Sequence, residues 1–170
     1  MGIIGFGTKH STNNVKEGQM REELEEQLKR MGLRLEGRDF ILHSDVHSPV
    51  FWDIERMFQY PQWVRIETLR PWIWEIGLYR PNNLIGIRSG GFLLAHDVGE
   101  ALGVHVSDKR GHALGLNRRV VVVDDVITTG RTIQLYLSDE VVAIAVLVNR
   151  SGLSEINGIP IVTGIYADRV

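Results

Sequence analysis

An α/β fold, with a central parallel sheet flanked by helices, is the architecture that the 170-residue sequence predicts. Three observations carry it. The runs Val120-Val121-Val122-Val123 and Val141-Val142-Ala143-Ile144-Ala145-Val146-Leu147-Val148 do not alternate, as suits strands buried on both faces. Beyond Pro81 the order apolar strand, glycine-bearing turn, amphipathic helix repeats. With 44% apolar residues, a chain of this length is one domain able to enclose a substantial core.

Residues 8–18 are polar with no apolar period, so residues 1–18 read as a mobile N-terminal arm and 19–170 as a single domain. Met20, Leu24, Leu28 and Met31 recur at helical spacing, giving a helix that ends near Gly32. Phe40–Leu42 reads as a short strand. Ser48–Trp52 reads as a second extended piece, because Pro49 keeps its predecessor out of the helical region. Pro61 opens a helix running toward Tyr79, which Pro71 is expected to kink or break. Trp63, Trp72 and Trp74 read as packing residues. Then come a strand at Leu84–Ile87, a helix at Phe92–Leu102, a strand at Val120–Val123, a helix at Thr132–Leu137, a strand at Val141–Val148 and a last strand at Ile161–Tyr166.

Composition removes several function classes. The chain has no Cys, which excludes disulfide scaffolds, thiolate metal sites and thiol catalysis, and makes an intracellular protein the expectation. Met1 to Gly7 is too short to be a signal peptide or a membrane span. A net charge of −2 argues against a nucleic-acid binder held mainly by phosphate contacts. Of 19 cationic side chains 15 are Arg, which suits planar anions gripped by two hydrogen bonds.

In parallel sheets ligands bind beyond the carboxyl ends of the strands, so the residues after each apolar run are the candidates. The most unusual follow the four valines: Asp124-Asp125-Val126-Ile127-Thr128-Thr129-Gly130-Arg131-Thr132. Adjacent acids at the end of a buried strand are costly to desolvate unless something occupies them. Thr128 to Thr132 puts hydroxyls and a glycine turn at a helix start, where open amides and the helix dipole attract an anion. Phosphate at one end and carboxylates at the other suit a sugar phosphate, whose hydroxyls donate to Asp124 and Asp125. The plainer account is a capped helix beside a tight turn. Neither the Walker pattern nor Gly-x-Gly-x-x-Gly is present.

The thirteen residues Val-Val-Val-Val-Asp-Asp-Val-Ile-Thr-Thr-Gly-Arg-Thr, 120–132, resemble the phosphoribosyl-pyrophosphate (PRPP) signature of the type I phosphoribosyltransferases. At the end of the strand Leu84–Ile87, Gly86-Ile87-Arg88-Ser89-Gly90-Gly91 resembles the pyrophosphate loop of that family. In the segment 107–115, Arg110-Gly111-His112, following Lys109, resembles the Lys-x-His of the mobile catalytic loop in the orotate branch; Ala113 stands where Gly is expected, and the Arg-Lys pair upstream is absent. Phe40 to Trp52 resembles that branch's amino-terminal stretch, with His43 and His47 where Lys is common, Asp45 where Gly is common, and Phe51-Trp52 as its aromatics. Asn149-Arg150 resembles the Asp-Arg whose Arg binds the base's carboxylate.

The resemblance implies the type I fold with a small N-terminal hood, and transfer of 5-phosphoribose from PRPP to a nucleobase with release of pyrophosphate. Orotate is the favoured base, as in pyrimidine biosynthesis. It implies PRPP contacts from Arg88, Ser89, Gly90 and Asp124 through Thr132, and base contacts from His43, Phe51, Trp52, Thr128 and Arg150. Asp124, Asp125, Lys109, Arg110 and His112 are the implied catalytic set. Mg²⁺ is the implied cofactor, carried on PRPP with at most a water-mediated contact to Asp124, and the implied assembly is a cytoplasmic homodimer bound to neither nucleic acid nor membrane. The same signature also serves purine or uracil salvage enzymes and PRPP-sensing regulators without catalysis.

Overall fold

The structure, a computed structural model, describes residues 10–42, 45–107 and 118–168. In chain order the elements are α1 (His10–Arg30), β1 (Arg34–Ile41), β2 (His47–Trp52), a 3₁₀ turn (Ile54–Gln59), α2 (Gln62–Gly77), β3 (Asn83–Gly86) and α3 (Arg88–Leu102). They continue with β4 (His105–Ser107), β5 (Val120–Ile127), α4 (Arg131–Gln134), β6 (Val141–Asn149), β7 (Glu155–Ile156) and β8 (Ile159–Tyr166). Strands β1 and β2 form an antiparallel hairpin, and the other six form one sheet in the order β4-β3-β5-β6-β8-β7. All its pairings are parallel except β7 with β8, so the expected parallel sheet is the centre of the molecule.

The apolar runs of β5 and β6 divide their side chains between two cores, one on each face of the sheet. Val121, Val123, Ala143, Ala145 and Leu147 pack against Leu24 and Leu28 of α1, Leu69, Trp72 and Ile76 of α2, and Leu94 and Val98 of α3. Val120, Val122, Ile144 and Val146 face the other way, against Ile133 and Ile156. Val50 and Trp52 join the first core, which seats the hairpin over the carboxyl end of the sheet.

Several boundaries differ from the sequence expectation. Helix α1 begins at His10, well before Met20, because apolar periodicity registers only residues that touch a core, and Glu17 to Gln19 are exposed. Pro71 does not break α2, which continues to Gly77; the missing N–H is offset by burial of Leu69, Trp72, Ile73 and Ile76 around it. Only one of the three tryptophans expected to pack does so. Trp72 is 1% exposed and donates Nε1–H to the Val162 carbonyl at 3.1 Å, whereas Trp63 and Trp74 are 73% and 61% exposed. The helix expected at Thr132–Leu137 is the single turn α4, and β5 extends through the two aspartates to Ile127. The short strands β4 and β7 and the 3₁₀ turn had no sequence signal long enough to read.

Candidate active site

Chain direction on the sheet reverses between β3 and β5: α3 leads from β3 outward to β4, while β6 and β8 follow on the other side of β5. A crevice opens at such a point, beyond the carboxyl ends of the two strands. The residues expected to hold the pyrophosphate and the sugar stand on its two sides.

On the β3 side, Arg88-Ser89-Gly90-Gly91 is the first turn of α3 rather than a loop. The glycines are required by close approach. A Cβ on Gly91 would lie 2.6 Å from the Val123 carbonyl oxygen, one on Gly90 would lie 2.2 Å from Asp125 Oδ2, and one on Gly86 would lie 2.3 Å from the Phe92 Cα. Ile87 N–H donates to the Val123 carbonyl at 2.8 Å, which fixes the junction to β5. Arg88 carries the turn at a φ of +53°, a left-handed conformation that costs an L residue about 1–2 kcal/mol. Ser89 Oγ donates to Glu55 Oε1, tying α3 to the 3₁₀ turn.

On the β5 side, Asp124 is buried, and Asp125 N–H donates to Asp124 Oδ1 at 3.0 Å. Val126 N–H donates to Asp125 Oδ1 at 2.9 Å. Burial first, and the neighbouring Asp125 carboxylate second, push the Asp124 carboxyl well above the usual aspartate range. Gly130 turns the chain at a φ of +76°, and Thr129 Oγ1 accepts from Arg131 N–H at 3.5 Å. With only four residues, α4 has too few aligned peptides for a substantial dipole, so an anion here relies on the turn's amides and hydroxyls.

Two cavities occupy the crevice. One, of about 410 Å³, is lined by Asp45, Val46, Arg88 and the continuous segment 124–133. The other, of about 240 Å³, is lined by Leu42, Phe51 to Glu55, Asp125, Val126, Thr128 and Arg150. Asp125, Val126 and Thr128 belong to both, so they form a shared wall.

Arg150 is buried, and burial lowers its pKa from the ordinary arginine value. It donates from Nε to the Asp168 carbonyl at 3.0 Å, from Nη1 to the Val50 carbonyl at 3.1 Å and from Nη2 to Ser48 Oγ at 2.8 Å. The guanidinium thus clamps the hairpin to the end of β6 while lining the smaller cavity. Phe51 stacks on Phe40 with centroids 5.5 Å apart, and Trp52 is buried in the core beneath. Asn149 caps the following turn: its Oδ1 accepts from Ser151 N–H and Gly152 N–H, and its Nδ2 donates to the Leu153 carbonyl. The structure therefore brings together Arg88, Ser89, Gly90, segment 124–132, Phe51, Trp52 and Arg150. Lys109, Arg110, His112 and His43 lie outside the described residues. Sequence reasoning missed Asp53, Ile54 and Glu55, which only the 3₁₀ turn carries to the cavity wall; a polar residue beside the aromatic pair was the one available hint.

No family model matches the chain. It is 30% identical to the orotate phosphoribosyltransferase of Caldanaerobacter subterraneus subsp. tengcongensis over 66% of this chain and 67% of that one. It is 31% identical to the orotate phosphoribosyltransferase of Desulforamulus reducens over 77% of this chain and 76% of that one. The crystal structure of the orotate phosphoribosyltransferase from Aeropyrum pernix superposes with a TM-score of 0.64 at 28% identity, covering 84% of this chain and 93% of that chain. Sequence and fold agree along most of both lengths, and the chain belongs to the orotate phosphoribosyltransferase family, pentosyltransferases of the type I phosphoribosyltransferase fold.

Proposed function

We propose that this protein transfers 5-phosphoribose from PRPP to orotate, forming orotidine 5′-phosphate and pyrophosphate. The observation that carries the reading is the pair of cavities meeting at Asp125, Val126 and Thr128, one polar and walled by the segment 124–133, the other aromatic and closed by Arg150. A sugar phosphate in the first and a flat base in the second have their reacting atoms at the shared wall.

The ring nitrogen of the base attacks the anomeric carbon as its bond to pyrophosphate breaks, the leaving group taking the electron pair. No covalent nucleophile is needed, so rate comes from positioning and fixed charge. The turn Thr128–Thr132 receives the 5′-phosphate on its amides and hydroxyls. Asp124 and Asp125 accept hydrogen bonds from the ribose hydroxyls and stabilise positive charge developing on the ring. Arg88 and the amides of Ser89 and Gly90 hold the pyrophosphate, and Lys109, Arg110 and His112 neutralise its charge. Among the described residues three of the five N–H donors of Arg150 are engaged, by the hairpin and Asp168, and the guanidinium lines the smaller cavity, where it receives the base's carboxylate.

The acidic donors at this wall are hard oxygens, a chemistry that fits a hydrated Mg²⁺ held by substrate oxygens and, through water, by Asp124. When bound, the ion supplies neutralisation of the pyrophosphate's charge. The reading includes a cytoplasmic homodimer that engages neither nucleic acid nor membrane. A net charge of −2 supports the part about nucleic acid.

The test is turnover of a base panel with PRPP and Mg²⁺. Orotate should be consumed, with Asp124→Asn and Asp125→Asn each losing most activity. Turnover of hypoxanthine, adenine or uracil without orotate overturns the substrate assignment, and PRPP binding without product from any base overturns the enzymatic one.

A further inference from the structure

Glu55 is a carboxylate that the transfer reaction does not call on, yet it touches both sides of the crevice. It lines the smaller cavity, and its Oε1 accepts the hydroxyl proton of Ser89 in the first turn of α3. Its backbone is held in place: Ile54 and Met57 of the same 3₁₀ turn are buried in the main core, and the turn packs on α3. The turn's own cation is committed elsewhere, since Arg56 pairs with Asp53 at 3.5 Å and donates to the Gly32 carbonyl at 3.3 Å. Glu55 and Ser89 are both exposed, so their bond adds little to a fold that Ile54 and Met57 already anchor.

A turn that receives an anion ordinarily collects donors and cations. Here a carboxylate occupies one of the donors. A serine hydroxyl has a single proton to give, and the oxygens of an ionised pyrophosphate only accept. The Ser89 proton can go to Glu55 or to pyrophosphate, but not to both. The carboxylate also repels an arriving polyanion, so Glu55 opposes the attraction that Arg88 and the amides of Ser89 and Gly90 supply.

We propose that Glu55 is a specificity-determining residue that competes with pyrophosphate for Ser89 and keeps the affinity of this turn for free pyrophosphate low, so that the leaving group departs once its bond to the sugar is broken. PRPP is held in addition through its 5′-phosphate and ribose by the segment 124–132. Released pyrophosphate lacks those contacts, and the opposition of Glu55 takes a larger share of what remains. The inference rests on the placement of pyrophosphate at Arg88, Ser89 and Gly90 proposed above, and adds the residue that limits its hold.

The test is calorimetric titration of the full chain with pyrophosphate in excess Mg²⁺, alongside steady-state kinetics and melting as a control on folding. Glu55→Gln keeps the shape without the charge, and Glu55→Ala removes both. Each should lower the dissociation constant for pyrophosphate about tenfold or more, the size of one hydrogen bond to a charged group, and strengthen product inhibition by the same factor. The KM for orotate should fall less, because orotate carries fewer charges than pyrophosphate. In a Ser89→Ala background the gain from Glu55→Gln should shrink several-fold, since the contested proton is gone. Pyrophosphate binding that is unchanged or weaker in both Glu55 variants overturns the proposal while leaving the transferase reading intact. Weakening in Glu55→Ala that Glu55→Gln does not share makes the contact a structural tie and overturns it too. An equal gain for orotate, or a gain that Ser89→Ala leaves whole, overturns the competition for Ser89. A wild-type protein that binds neither pyrophosphate nor PRPP overturns both readings.

Discussion

At Asp124 function and stability pull in opposite directions. Its carboxyl is buried beside a second acid, so the folded state holds that proton more tightly than the unfolded chain, whose aspartates titrate near about 3.9. The contribution to stability is therefore fully present below the unfolded value and is lost as pH rises through the elevated native one. The melting temperature of the ligand-free protein should fall as pH rises through that window. Asp124→Asn should flatten the profile, raise the melting temperature at neutral pH and remove turnover; an unchanged pH profile in the variant refutes the assignment. Gly91→Ala should cost about 1–3 kcal/mol in urea unfolding, because its methyl meets the Val123 carbonyl and the Asp124 Cα, backbone atoms that cannot swing aside. Arg150→Lys keeps the charge but not the planar fork. It should lower the melting temperature and raise KM for orotate far more than for PRPP, whereas equal changes in both constants would reduce Arg150 to a clamp alone. The acids and glycines of these sites were legible because their residue types are unusual after an apolar run. The clamp was not, since Arg150 bonds to Ser48 and Val50, about a hundred residues away in sequence.

Elements reach the crevice through a few buried ties. Helix α3 presents Arg88 and Ser89, and it is pinned to α2 by Arg65, whose Nε and Nη2 each donate to the Asp97 carboxylate at 2.7 Å. Arg65 also donates to the Tyr60 carbonyl and lies over the Phe58 ring. Asp97 is 1% exposed, so Arg65→Leu leaves a buried carboxylate with no cation beside it and only the 3.4 Å donation from Gln62 Nε2, and should destabilise by about 3–5 kcal/mol in denaturant titration. Asp97→Asn retains a hydrogen-bonding partner for Arg65 and should cost less; the reverse order would contradict the pin. This pair illustrates why element type was readable and element docking was not. The four valines announce a buried strand by themselves, while nothing in the sequence distinguishes Arg65 from the exposed Arg70 on the same helix. Similarly, β4 and β7 have three and two residues and no periodicity to detect.

For the whole molecule, strand order settles where chemistry is possible. Reversal of direction between β3 and β5 leaves one open crevice beyond the ends of those strands, and both cavities lie there. The parallel sheet and its carboxyl-end site followed from the apolar runs, whereas the hairpin's place over that site depends on Val50 and Trp52 entering the main core. The wall common to the two cavities has a thermodynamic consequence. Because Asp125, Val126 and Thr128 line both cavities, neither of the two proposed ligands can order them without preparing the place of the other. Binding is then mutually assisted, and linkage makes the assistance equal in both directions. Calorimetric titration of orotate with and without a non-reacting PRPP analogue, and of the analogue with and without orotate, should return one and the same factor of gain; a factor of one in either experiment means that the two chambers act as strangers.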